Sequence, residues 1–194
     1  MAVTTIPHVD EDRRFTAHLG MYITLAAMAM FFFTLFMIYA AIRTRLGGYL
    51  GVETRGIPFI LATVNTLVLA VSSGAYQYGL RSIRRGHPDL LRRWTTVTMV
   101  LGLGFLVSQG TMWAIFIGRN VLPSTEVFGA IFFTLTGLHA LHVVAALIVL
   151  GWIWIPALKG RWTARDHVPV EIGGLFWHFL GLVWLVMYVV IFIV

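Results

Sequence analysis

Histidines and acids are the side chains that could carry chemistry in this 194-residue sequence, which has seven of the former, eight of the latter and no cysteine. His139 and His142 stand three apart, so a helix would place them on nearly one face. Joined by His178 or His18 from another helix, they have the donor types that bind haem or copper. The same residues read more simply as a hydrogen-bonded structural pair. Two features weigh against the metal: no carboxylate lies deep in an apolar stretch to orient a ligand or relay a proton, and no glycine-lined slot can be assigned. Without cysteine there is no disulfide, thiolate site or thiol nucleophile. Neither a Ser/His/Asp set nor a glycine-rich phosphate loop is present.

The elements that must hold these residues follow from where the charges fall. Charged residues make up 11% of the chain and hydrophobic ones 59%, with a mean hydropathy of +0.86, whereas soluble domains carry about 25% charged residues. The few charges cut the sequence into apolar stretches at about residues 17–42, 57–80, 94–118, 127–156 and 172–194. Each has the roughly 20 residues that a helix needs to cross a bilayer. No ten-residue alternation suggests barrel strands. The expected fold is all-α, a bundle of five transmembrane helices spanning residues 1–194 as one domain. The loops are too short for anything further outside the membrane. The first twelve residues, with Asp10, Glu11 and Asp12, do not read as a cleavable signal.

Ten of the fourteen basic residues fall on the segments that share a side with the N-terminus. The positive-inside bias therefore predicts a cytoplasmic N-terminus and an outer C-terminus. The net charge of +6 reads as topology and attraction to anionic lipid, not as nucleic-acid binding. Within the spans, Asn65, Thr66, Ser72, Ser73, Tyr76, Gln77, Ser108, Gln109, Thr111, Thr134, Thr136, His139, His142 and His178 are polar groups, and interhelical hydrogen bonding is the bland use for them. Ala70 with Gly74, and Gly104 with Ser108, have the small-xxx-small spacing of close helix approach. Trp94, Trp113, Trp152 and Trp154 fit interfacial belts, while Trp184, in mid-span, suits a helix or subunit contact. With no acid in mid-membrane, an independent pump or permease is disfavoured.

Specific motifs appear toward the C-terminus. Thr136-Gly137-Leu138-His139-Ala140-Leu141-His142-Val143 resembles the T-G-x-H-G-L-H-V signature of cytochrome c oxidase subunit III. Trp177-His178-Phe179-Leu180-Gly181-Leu182-Val183-Trp184-Leu185 resembles that family's W-H-F-V-D-V-V-W-L. Pro58 with Asn65-Thr66, Ser73-Gly74, Phe105 with Gln109, and Leu19-Gly20-Met21 add weaker matches, so the likeness runs from about residue 17 to the end. It implies a short, five-helix bacterial form, where longer members have two further helices set off by a lipid-holding cleft.

The resemblance also implies a role. Such a chain is a non-catalytic subunit of a proton-translocating oxidase in the bacterial inner membrane, packed on subunit I beside subunit II, and supports stability and proton uptake during oxygen reduction. Haem and copper would lie in the partner subunits and none in this chain, with phospholipid as the ligand it could hold and a respiratory supercomplex as a wider setting. Glu126 and Glu171 fall where the family has acids. Met28, Met112 and Gly181 stand where it often has carboxylates, which puts a proton-antenna role in doubt. The alternatives are a quinol oxidase subunit, a relative associated with nitric oxide reductase, or a small b-type electron carrier with haem between His142 and His178.

Overall fold

The computed structural model describes residues 7–45, 56–121 and 127–193; Glu126 lies outside them. These residues form five long helices: α1 (Pro7–Arg45), α2 (Ile57–Arg84), α3 (Pro88–Gly118), α4 (Val127–Leu158) and α5 (Val168–Tyr188), the last continued by a π-helical turn at Val189–Ile193. All five contain a stretch long and apolar enough to cross a bilayer.

Their ends are written in local chemistry. A proline sits in the first turn of α2, α3 and α5, where its missing N–H costs nothing, and Asp89 and Glu171 add negative charge to the first turns of α3 and α5. α2, α3 and α4 stop in the same way. A residue in the left-handed region, Gly86 (φ 82), Asn120 (φ 58) or Gly160 (φ 62), follows the last turn. Its N–H and that of the next residue then turn back to two helix carbonyls: Gly86 to Ile83 and His87 to Ser82, Asn120 to Ile117 and Val121 to Phe116, Gly160 to Ala157 and Arg161 to Pro156. This is the Schellman arrangement, which satisfies carbonyls that the helix end would orphan.

The helices overrun the apolar windows by several residues. α1 starts at Pro7, α2 continues through Arg81 and Arg84, and α3 begins with Asp89, Arg92 and Arg93 already helical. A charge halts burial in hydrocarbon but not helix formation, so the window marks the membrane and the helix outlasts it. α1, with 39 residues, is about 58 Å long at 1.5 Å per residue, well beyond one bilayer.

α2, α3, α4 and α5 pack in a closed ring, each against the next and α5 back against α2, while α1 lies outside against α5. In the most apolar window of α1 only 11% of residues are buried, against 28–33% in the other four helices. Outside the ring the surface stays apolar: Met30, Val107, Leu141 and Trp152 are all well exposed. Such a surface needs lipid or protein as its solvent.

Close approach occurs at Gly102, Gly173 and Gly174. A Cβ on Gly102 would meet Trp177 and Leu147, and one on Gly173 or Gly174 would meet Tyr76, with Ile153 also against Gly173. The small pairs expected to serve this purpose do not. Ala70, Gly74 and Gly104 are exposed, and nothing lies within 4 Å of a Cβ built at Gly74 or Gly104. Small spacing permits an approach from outside but does not say which face the ring uses.

Candidate functional site

Hydroxyls on one helix meet tryptophans on another along much of the bundle. Thr66, Thr96 and Thr136 donate their hydroxyl hydrogens to their own helices, at the carbonyls of Ala62, Arg92 and Phe132 (2.8, 2.8 and 2.7 Å). The lone pairs left over accept indole N–H groups from Trp184 (3.1 Å), Trp154 (2.8 Å) and Trp113 (3.0 Å). Trp177 donates to Ser72 (3.2 Å), and Ser72 and Thr98 each reach the other's backbone carbonyl (3.4 Å). Two tyrosines tie α5 to α2 in the same manner: Tyr76 donates to the Val170 carbonyl (2.7 Å), and the hydroxyls of Tyr188 and Thr63 pair (2.8 Å). Where such a pair lies in hydrocarbon no water competes for it, so a lost bond leaves its partner unpaired.

The histidines separate from one another. His142 lies on the α1 side, its ring against Phe31 and Phe32, and its Nδ1 pairs with the Leu138 carbonyl of its own helix at 2.7 Å. His139 points into the ring of helices, edge-on to Phe105 and tilted against Trp184. Neither of its nitrogens has a hydrogen-bond partner among the described residues. Of the two histidines expected to hydrogen-bond to neighbours, His142 does so and His139, among the described residues, does not. Residues three apart diverge by about 60° around a helix, enough to send them into different grooves. His178 sits between Ser73 and Gln77, one on each ring nitrogen, with 3.1 Å to Gln77 Oε1. Both nitrogens of His178 are thereby engaged by α2. Among the described residues no three His, Asp or Glu side chains gather to hold a metal.

Asn65, Gln109 and Trp184 are buried in the ring, as is Trp177. Gly137 is half-exposed with nothing beside it. Of the positions where the family's carboxylates are replaced, Met112 is fully buried, Met28 packs on the core, and Gly181 has open space.

At the end of the bundle where α2 stops and α5 starts, Glu171 gathers three helices. Its Oε1 accepts from Arg84 Nη2 (2.6 Å) and Nε (3.1 Å) and lies 3.1 Å from His167 Nε2, while Oε2 lies 3.4 Å from His18 of α1. Close by, a cavity of about 850 Å³ opens between α1, α4 and α5, with Arg14, Arg165, Trp152 and Trp162 in its wall. Arg14 also donates to the Arg165 carbonyl. Sequence reading marked Glu171 and missed its partners. The i,i+4 spacing of His167 and Glu171 was an available signal, whereas Arg84 and His18 are brought in only by the fold. Because the carboxylate is partly exposed, Glu171→Gln is expected to cost about 1 kcal/mol or less, falling as salt screens the charges. Melting curves of the chain at low and high salt measure both.

The sequence profile of cytochrome c oxidase subunit III matches residues 10–194. A probable cytochrome c oxidase subunit 3 of Mycobacterium leprae is 30% identical over 193 residues, covering 100% of this chain and 95% of its own. Cytochrome c oxidase subunit 3 of Thermostichus vulcanus is 29% identical over 189 residues, 97% of this chain and 92% of its own. Subunit 3 of the cytochrome bo(3) ubiquinol oxidase of Pseudomonas aeruginosa is 31% identical over 179 residues, 90% of this chain and 83% of its own. With Thr136, His139 and Trp177 of the two motif segments buried in one helical ring, the chain belongs to the cytochrome c oxidase subunit III family and is a haem–copper oxidase subunit III.

Proposed function

We propose that this chain is a non-redox subunit, held against the catalytic subunit I in a bacterial inner membrane with its basic end in the cytoplasm. There it supports the stability of the oxidase and proton uptake from the cytoplasmic side while oxygen is reduced. One observation carries the reading: several polar groups of the spans tie one helix to another, as in the tryptophan–hydroxyl pairs and in His178 with both nitrogens engaged. Haem and copper belong, on this reading, to the partner subunits. The electron donor is chosen by subunits I and II, so the same role serves an oxidase fed by cytochrome c or by quinol.

The cavity between α1, α4 and α5 suits a phospholipid. Arg14 and Arg165 supply charge for a phosphate, and Val149, Trp152 and Ile172 an apolar wall for acyl chain. Oxidase purified without this chain is expected to keep its haem and copper spectrum and its initial rate of oxygen consumption, and to inactivate faster over successive turnovers. Loss of the haem spectrum in step with the chain, or a Soret band on the separated chain, would overturn the reading.

A further inference from the structure

Three buried side chains in the middle of the ring carry six polar atoms with no hydrogen-bond partner among the described residues. They are both amide atoms of Asn65, both of Gln109, and both ring nitrogens of His139. All three residues are 1% exposed or less. They come from α2, α3 and α4 and lie within about a turn and a half of one another along the bundle.

The contacts between neighbouring helices fix these heights. Ser72 pairs with Thr98, and Gly79 lies under Leu91 and Trp94, so the antiparallel register of α2 and α3 sets Asn65 across from Phe105. Gly102 faces Leu147, and Trp113 reaches Thr136, so the register of α3 and α4 sets Gln109 across from His139 and Ala140. Phe105, one turn from Gln109, touches both His139 (ring centroids 6.0 Å apart) and Trp184 (4.9 Å). Trp184 in turn lies 5.5 Å from His139 and bonds Thr66, next to Asn65.

An amide or imidazole left unpaired in such a place costs more than a typical hydrogen bond returns, and lipid offers no partner. Six such atoms would rival the stability of a whole domain. Water is the small molecule that can both donate to imidazole nitrogen and amide oxygen and accept from amide NH2. A buried water typically makes about three such bonds.

We propose that Asn65, Gln109 and His139 form an internal water site that bridges α2, α3 and α4 in the middle of the membrane. Turning the two amides about their terminal torsions, which are soft, aims either their oxygen or their NH2 at such a water. The site makes the three residues one coupled unit, and Phe105 and Trp184 seal it.

The test uses the purified complex that contains the chain. A density map fine enough to show ordered water is expected to place one within about 3 Å of at least two of the three side chains. Gln109→Leu is expected to lower the melting temperature by about 2–4 °C. Adding His139→Phe to it should then lower it little further, because a broken network has less to lose. Direct pairing of the three side chains with no water between them would overturn the proposal. So would a Gln109→Leu variant as stable as the parent or more so, the result expected when an unpaired amide is simply replaced by an apolar group. If the double variant fails to assemble, the map of the unaltered complex decides.

Discussion

Trp184→Ala is expected to destabilise the ring by about 3 kcal/mol, the low end of what removing a buried tryptophan costs in water-soluble cores. The low end applies because the alternative environment is lipid, so packing and hydrogen bonding drive helix association here, not escape from water. Trp184 is 1% exposed. Its ring packs edge-on to Phe105 and tilted against His139, and its N–H donates to Thr66. One truncation therefore removes contacts from α5 to α2, α3 and α4 together. Thr66 keeps its bond to Ala62, so no unpaired hydroxyl hydrogen adds to the loss. A melting experiment on the chain in detergent should show the drop, and the assembled oxidase should be recovered in lower yield with its rate per haem unchanged. Full assembly with electron transfer abolished would contradict this.

Gly102→Val carries the second large effect, and it acts by crowding. A Cβ at Gly102 would lie 2.6 Å from Cη2 of Trp177 and 2.8 Å from Cδ2 of Leu147. Trp177 cannot simply retreat, since its indole N–H is anchored on Ser72 and its ring is buried. Overpacking of this kind costs about 1–3 kcal/mol, and a branched side chain belongs at the upper end. Replacing glycine in a helix returns less than that, about 0.5–1 kcal/mol for alanine. Gly104→Val, two residues away with nothing within 4 Å, is the control, and the melting temperature of the isolated chain should stay near that of the parent. Equal losses at both positions would mean that helix packing is not what distinguishes them.

That contrast also marks how far the sequence could be read. Five spans were legible because bilayer thickness demands about 20 apolar residues in a row, and charges interrupt them only at the membrane surface. The interior face of each helix was not. In a soluble bundle the polar residues point away from the core, but here Leu67 is 61% exposed and Leu69 5%, and hydropathy treats them alike. The motifs around His139, His142, Trp177 and His178 pointed to the family without saying what those residues touch. His142 meets α1, His178 meets α2, and His139 meets the aromatic centre. Glu171 could be singled out as an acid beside a span. Its partnership with Arg84, 87 residues away, exists only once α2 and α5 lie side by side.

The threonine–tryptophan pairs have a consequence for how this sequence can change over generations. Each threonine spends its one hydrogen on its own helix and offers only lone pairs, and each indole offers only a hydrogen. Serine can take over the threonine's part, because its hydroxyl forms the same backward bond. Valine, nearly the same shape, strands the indole. No other side chain combines the reach of tryptophan with a single N–H at its edge, so the two partners are unequal in the drift they allow. Serine at Thr66, Thr96 or Thr136 can keep the bond, whereas at Trp184, Trp154 and Trp113 no replacement can.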